Sequence, residues 1–374
     1  MKKNLIIFIL FFLFSFTSVI KADTFNYQEY YQQLKITTNI TIDKEMSRFN
    51  EMIKNNSTTF SNDFLEDFKT NSISSQEYQQ LYDEITFYQL RLNNFSEIQL
   101  KKELDVYQQQ LKRNYLLVNE FNKMLDSYLK YKSNDNYGNF VQIQYIVNDF
   151  CLRNKLKPNK VIDTIEGKKI KLAYLTFDDG PSPKTNDIIK VLNKHQVKGT
   201  FFLVGREVDK ARNAKTIENL LNNKQIIGMH GYSHIYKKTI KRSQFEKELQ
   251  KTKQILKNDF NYTTNLVRIP YGSTILKKKD LDYYTKKQIY YLWDWNVDSN
   301  DWRTKKNSNK VGKSINKQID KIKGKDDIVV LYHEYSSTIH SLDKTITKLK
   351  KQDYRIVNMV PEYFYSNYFD KPKK

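Results

Sequence analysis

From Lys171 onward, short apolar runs rich in β-branched and aromatic residues alternate with segments of helical periodicity. Lys171 to Phe177 reads as a strand, Ile188 to Asn193 as a helix and Thr200 to Val204 as a strand. The series continues with a helical Phe245 to Leu256, a strand at Tyr290 to Trp293, a helical Val311 to Ile322 and a strand at Ile328 to Tyr332. Strands separated by helices cannot pair as tight hairpins. They run parallel, with each helix returning the chain across a face of the sheet. The expected architecture is α/β, a closed or partly closed (β/α) barrel.

At 374 residues the chain exceeds what one core usually fills, so a second domain is expected before the barrel. Apolar residues fall at heptad spacing from Leu81 through Ile85, Tyr88 and Leu92 to Phe95. After Asn93-Asn94 the pattern restarts in a new register, with Ser96 and Gln99 placed for a capping box. Leu100, Leu104, Tyr107, Leu111, Val118, Phe121, Leu125 and Tyr128 then form one seam, broken only by the polar Asn114. This predicts coiled-coil-like packing, either within the chain, where Met46, Phe49 and Ile53 could supply the partner, or by self-association of two copies. Turn-forming residues gather from Ser133 to Gly138 and predict a boundary there. The expected division is 1–22 for export or anchoring, 23–135 helical, 136–169 linker with lead-in strands, 170–364 barrel, and 365–374 a basic tail.

The first residues have the parts of an export signal: Lys2 and Lys3, an apolar run from Leu5 to Ile20, then Lys21-Ala22. The run is short for a bilayer span, and Ile20-Lys21-Ala22 is a poor cleavage site, so cleaved secretion and membrane attachment both stay open. Either outcome predicts an extracytoplasmic protein, secreted or held at the cell envelope. A single cysteine, Cys151, gives no internal disulfide. The net charge of +21 favours anionic partners, yet no arginine-rich block or aromatic-interleaved basic stripe marks a nucleic-acid face. Nucleic acid is therefore excluded as the expected partner.

Candidate chemistry collects at the predicted strand ends. Thr176-Phe177-Asp178-Asp179-Gly180-Pro181 closes the first strand in a turn, at the rim where β/α folds place catalysis. Alternation along the strand would send the two aspartates in different directions and so to different tasks, one binding metal and one accepting a proton. Taken alone, Asp-Asp-Gly is an ordinary turn sequence. His230 and His234 are four residues apart, a spacing that puts two imidazoles on one face of a helical turn. With Asp179 they offer two nitrogens and one oxygen to an ion, leaving a position open for water or substrate. Arg268-Ile269-Pro270-Tyr271-Gly272 supplies a fixed cation and a rigid turn able to aim a backbone N–H at an oxyanion. Asp298-Ser299-Asn300-Asp301-Trp302 and Leu331-Tyr332-His333 end later strands, with Asp301 placed to hold and charge His333. His195 and His340 lie among polar residues and read as surface positions.

In this order the five motifs resemble the polysaccharide deacetylases of carbohydrate esterase family 4, which carry the NodB homology domain, over about residues 170 to 362. The resemblance implies a distorted (β/α) barrel and a hydrolase that removes N-acetyl groups from a glycan. It implies that Asp179, His230 and His234 hold one divalent metal ion, usually Zn2+, with Co2+ or Mn2+ as alternatives. It makes Asp178 the general base, Arg268 the residue that orients it, and His333 the general acid tuned by Asp301. The backbone of Tyr271 would donate to the oxyanion, while Pro270, Tyr271, Trp302 and Leu331 would line the substrate site. Two positions depart from the family pattern: Gly231 stands where a steadying Ser or Thr is usual, implying reduced metal affinity, and Met229 stands where Asn is common.

The expected substrate is N-acetylglucosamine in a cell-envelope polysaccharide, foremost peptidoglycan. Chitin-type oligosaccharides, a muramic-acid residue and O-acetylated xylan are alternatives. A non-catalytic glycan-binding module and an envelope scaffold built on the helical seam are readings from other functional classes.

Overall fold

The computed structural model describes residues 98–361 apart from 159, 166, 236–240, 288–289, 305–306 and 323–326, together with the isolated positions 51, 79 and 83. The export segment 1–22, the seam from Leu81 to Phe95 and the tail 365–374 lie outside the described residues. The chain divides into two compact units, the division falling between Glu120 and Phe121.

That division lies inside helix α1 (Ile98–Tyr131), and the capping-box residue Ser96 lies outside the described residues. The seam residues Val118, Phe121, Leu125 and Tyr128 are all buried. In the C-terminal unit, Phe121 packs against Phe150 with ring centroids 5.4 Å apart. Phe150 belongs to helix α2 (Asn136–Arg153). The turn-rich residues before α2 start a helix: Asp135 takes an extended conformation and its carboxylate accepts from Gly138 N at 2.6 Å, a side-chain N-cap. The stretch 136–169, expected as linker and lead-in strands, thus holds 18 residues of mostly buried helix. A short hairpin of β1 (Thr164–Ile165) and β2 (Lys168–Lys169) follows it.

The rest follows the expected rhythm. In order come β3 (Lys171–Gly180), α3 (Thr185–Lys194), β4 (Thr200–Leu203), α4 (Gly205–Val208), α5 (Ala214–Asn222) and β5 (Ile226–Met229). Then follow α6 (Arg242–Phe260), β6 (Leu266–Val267), α7 (Lys278–Lys287), β7 (Tyr291–Leu292), β8 (Val297–Asp298), α8 (Ser308–Ile322), β9 (Ile328–His333), α9 (Ser336–Lys351) and β10 (Tyr354–Ile356). The strands run β7-β6-β5-β4-β3-β9-β8, with β10 added to the start of β3, and every pairing in this sheet is parallel.

The connections force this sheet to curl. Laid flat, seven strands would put β7 and β8 about 29 Å apart at roughly 4.8 Å per step. Yet β7 ends at Leu292 and β8 starts at Val297, and a chain that short reaches at most about 18 Å. The two edges must approach each other, giving a distorted (β/α) barrel in which, among the described residues, they do not pair. β3 is its central staple, buried from Leu172 to Phe177 and apolar there except at Thr176, and Phe177 stacks between Phe201 at 4.7 Å and Tyr332 at 5.7 Å.

Replacing Asp135 by alanine removes the cap of α2 and should cost about 1 kcal/mol of stability, read from urea unfolding. An unchanged midpoint would mean that the helix start is held by other contacts.

Candidate active site

The register of the sheet brings the motifs to one rim. Asp178 on β3 pairs with His333 on β9, Met229 on β5 pairs with Val267 on β6, and Asp298 on β8 pairs with Leu331 on β9. His230 and Arg268 therefore each sit one residue past the paired end of a strand.

Strict alternation would carry Asp178 and Asp179 to opposite faces. The structure departs from that expectation through a bulge. Asp178 pairs with Phe202 and Gly180 with Leu203, leaving Asp179 as an extra residue at φ +70°. Both carboxylates consequently face one imidazole: His230 Nε2 lies 3.7 Å from Asp178 Oδ2 and 3.5 Å from Asp179 Oδ1. Gly180 can follow the bulge because it has no side chain, since a Cβ there would overlap Glu334 Oε1 at 2.1 Å.

His230 and His234 do not share a helical turn. Residues 230–235 form a loop, with Gly231 at φ +73° and His234 at φ +52°, which brings the two rings to 5.1 Å. His230 is buried, and its Nδ1 lies 2.8 Å from the carbonyl of Arg268. A carbonyl only accepts, so Nδ1 carries the proton and Nε2 presents its lone pair. Burial lowers the His230 pKa and keeps this ring neutral, as a metal ligand must be.

Asp179, His230 and His234 each offer a ligand atom, all within 4.8 Å of one another. Asp179 Oδ1 stands 3.0 Å from His234 Nε2 and is a buried oxygen without a hydrogen-bond partner among the described residues. Ligands held at about 2.0–2.2 Å around one ion lie about 3.0–3.5 Å apart, so this donor set fits a divalent cation. Burial would raise the Asp179 carboxyl, but the imidazoles of His234, His230 and His333 outweigh it and hold it well below the usual carboxylate range.

Asp178 is held differently. Arg268, fully buried, donates from Nη1 to Asp178 Oδ1 at 2.9 Å and to Thr176 Oγ1 at 2.6 Å. Its Nε donates to the Trp293 carbonyl at 3.0 Å, its Nη2 to the Asp294 carbonyl at 3.2 Å, and the Phe202 ring lies 4.3 Å from the guanidinium. A buried guanidinium with this many acceptors is a fixed charge, and removing either member of such a pair typically costs about 3–5 kcal/mol.

His333 forms the third group. Its Nδ1 lies 2.7 Å from Asp301 Oδ1, while Asp301 Oδ2 accepts from His333 N at 2.6 Å and from Thr338 Oγ1 at 2.7 Å. Burial works against the imidazolium, but Asp301, Asp178 and Asp179 together lift the His333 pKa to about 9. His333 Nε2 points toward the cluster, 3.9 Å from Asp179 Oδ2.

The polysaccharide deacetylase family model matches residues 166–292. A peptidoglycan-N-acetylglucosamine deacetylase of Bacillus cereus is 33% identical over 153 residues, which are 41% of this chain and 54% of the relative. The chain thus spans about half the length of that relative. The putative polysaccharide deacetylase YheN of Bacillus subtilis is 30% identical over 199 residues, 52% of this chain and 69% of the relative. This chain belongs to the polysaccharide deacetylase family. A solved CE4 esterase from Streptococcus mutans, 26% identical, matches 50% of this chain and 84% of its own with a TM-score of 0.46.

The matched span of the family model ends before Asp301 and His333, and the fold itself carries these two to the rim. Tyr271, at φ +67°, is exposed with its ring 5.0 Å from that of His234, and Trp302 is exposed on the 3-10 turn Asp301–Arg303, whereas Pro270 and Leu331 are buried. His195 stays apart from the site, bonded to Asp343 at 2.8 Å, and His340 lies on the surface with Nδ1 2.9 Å from the Ser336 carbonyl.

Three carboxylates that the motifs do not contain support the site. Glu248, on α6, accepts from Tyr232 N at 2.8 Å, Ser233 N at 2.6 Å and Ser233 Oγ at 3.0 Å. The loop that carries His234 is thus held from α6, in the absence of a hydroxyl at Gly231. Asp294 accepts from Ser273 N at 3.0 Å and pins the turn after Tyr271. Glu334 accepts from Ser182 N at 2.9 Å and from Thr185 Oγ1, tying β9 to the loop beyond Asp179. The spacing of Glu248 from the loop, 15 and 16 residues, follows no local pattern, so only the fold discloses it.

Burial pushes the Glu334 carboxyl up to about 7, against the hydrogen bonds from Ser182 and Thr185. An acid with a raised folded pKa adds stability that is complete below its unfolded value near 4.5 and disappears as pH rises through about 7. The stability of the wild type relative to Glu334→Gln should therefore fall by roughly 1–3 kcal/mol between pH 5 and pH 8, measured by urea unfolding at each pH. Parallel pH profiles for the two proteins would contradict the raised carboxyl.

Proposed function

We propose that this chain hydrolyses N-acetyl groups from N-acetylglucosamine units of a cell-envelope polysaccharide, peptidoglycan foremost, with one divalent cation, Zn2+, on Asp179, His230 and His234. The observation that carries this reading is the separation of three neighbouring groups. A three-donor cluster, a carboxylate fixed by a buried arginine and a carboxylate-backed imidazole converge within 4 Å contacts of one another. The peptidoglycan assignment draws on the name of the Bacillus cereus relative, and the extracytoplasmic setting on the apolar stretch from Leu5 to Ile20. Among the described residues no helix is long and apolar enough to cross a membrane, and residues 1–22 lie outside them.

A bound divalent cation would polarise the acetyl carbonyl and acidify water. The residues of the chain supply the proton movements. Asp178, restrained by Arg268 through Oδ1, uses its other oxygen to take a proton from water as the water attacks the carbonyl. His333, kept cationic by Asp301, gives its proton to the departing amine. Tyr271 contributes its backbone N–H to the oxyanion, its left-handed conformation turning that group relative to an extended strand. Trp302, with Pro270, Tyr271 and Leu331, borders the sugar. The products are acetate and a free glucosamine unit.

The decisive measurement is acetate release from N-acetylglucosamine oligomers and from purified peptidoglycan with added zinc. Asp178→Asn should lower turnover by about 10²–10⁴ while leaving zinc bound, and Asp179→Ala should weaken zinc binding itself. Absence of release by the wild type would exclude the hydrolytic reading, and identical behaviour of the two variants would mean their roles are misassigned.

The rate should decline as pH rises through about 9, where His333 loses its proton. Asp301→Asn removes the charge that raises the imidazole, so the alkaline limb of its profile should move to lower pH. A limb that stays in place would remove His333 from the role of acid.

A further inference from the structure

A cavity of about 660 Å³ opens from Asp179 and His234, and its far wall takes no part in the reaction derived above. That wall carries two guanidinium groups, Arg206 on α4 and Arg212 on the turn Ala211–Asn213. Their spacing is built into the fold: Asn213 Nδ2 donates to the Glu207 carbonyl at 2.7 Å, tying the turn to α4.

The charge of this wall is positive. Its one carboxylate besides Asp179, Glu207, is engaged by Lys210 Nζ at 2.7 and 2.8 Å to its two oxygens. Arg206 Nε approaches Glu207 only to 3.9 Å, and no carboxylate among the described residues pairs with Arg212. Two exposed arginine side chains lining one cavity suit a carboxylate, which the planar fork of arginine binds through paired hydrogen bonds.

The cavity shares Asp179 and His234 with the site, so a glycan whose acetamido group reaches Asp178 and His333 can extend into it. We propose that the cavity holds a carboxylate on the sugar next to the one deacetylated, so that the chain selects an anionic glycan over a neutral N-acetylglucosamine polymer. This assignment rests on the deacetylase reading for its direction, but the binding it describes can be measured without turnover.

The test uses the zinc-loaded full chain and its Arg206→Gln/Arg212→Gln double variant. Two substrates of equal length are compared: an N-acetylglucosamine–N-acetylmuramic acid tetrasaccharide, whose lactyl groups end in carboxylates, and the uncharged N-acetylglucosamine tetramer. The ratio of kcat/KM for the anionic over the neutral substrate should fall about tenfold in the variant, the size expected of a partly solvated charge-assisted contact. Calorimetry should show the same fall in binding ratio, and the preference of the wild type should shrink with added salt. A ratio that is unchanged in the variant, or a wild type that binds the two substrates equally, overturns the proposal. Arginine-dependent preference in binding without acetate release from either substrate would support the cavity assignment while removing the deacetylase reading.

Discussion

The extra residue at Asp179 is the constraint on which the site depends. A regular strand would have kept one carboxylate at the rim and turned the other away. By inserting one residue between the pairs Asp178 with Phe202 and Gly180 with Leu203, the chain places two adjacent carboxylates against the same imidazole. The conformation needed is left-handed, which costs a non-glycine residue roughly 1 kcal/mol or more. His234 and Tyr271 take the same region, at φ +52° and +67°. Positive φ therefore falls on both outer ligand candidates and on the turn that faces them. The supports that impose it come from other elements: Glu334 beyond Asp179, Glu248 below the His234 loop and Asp294 behind Tyr271.

What the sequence discloses follows from the range of the interactions. Strand and helix periodicity is local, so β3, α3, β4, α6, β7, α8 and β9 and the placement of Asp178, Asp179 and His333 at strand ends can be read directly, whereas the four- and two-residue strands β5 and β6 before His230 and Arg268 are too short to show a period. The seam from Val118 to Tyr128 is local as well, and those residues are buried. The bulge is not legible, because Thr-Phe-Asp-Asp-Gly has no feature that distinguishes a regular strand end from one with an inserted residue. The helical reading of His230 and His234 fails for a related reason: a spacing of four is also reached by a loop with two left-handed residues. Helix α2 is hidden because Ser133 to Asp135 has turn composition, and a turn and a helix N-cap draw on the same residues. Glu248, Asp294 and Glu334 are single acidic residues in an otherwise charged chain, and only three-dimensional contact separates them from solvated ones.

The charges around the rim set its three carboxylates apart. Asp178 has Arg268 as a permanent counterion, and Asp301 has the His333 imidazolium, so each of these pairs is neutral within the fold. Asp179 faces only imidazoles, and the one that lies deepest, His230, is neutral because of its burial. Of the three carboxylates, Asp179 alone is left for a cation that the chain does not itself provide. A doubly charged ion there would be only half compensated by the one carboxylate. Were Arg268 paired with Asp179 instead, Asp178 would lose its guanidinium partner and the carboxylate of the three-donor cluster would already be neutralised. The placement of one buried arginine beside Asp178 rather than Asp179 therefore gives two neighbouring aspartates opposite electrostatic surroundings, one with a fixed counterion and one with imidazoles alone.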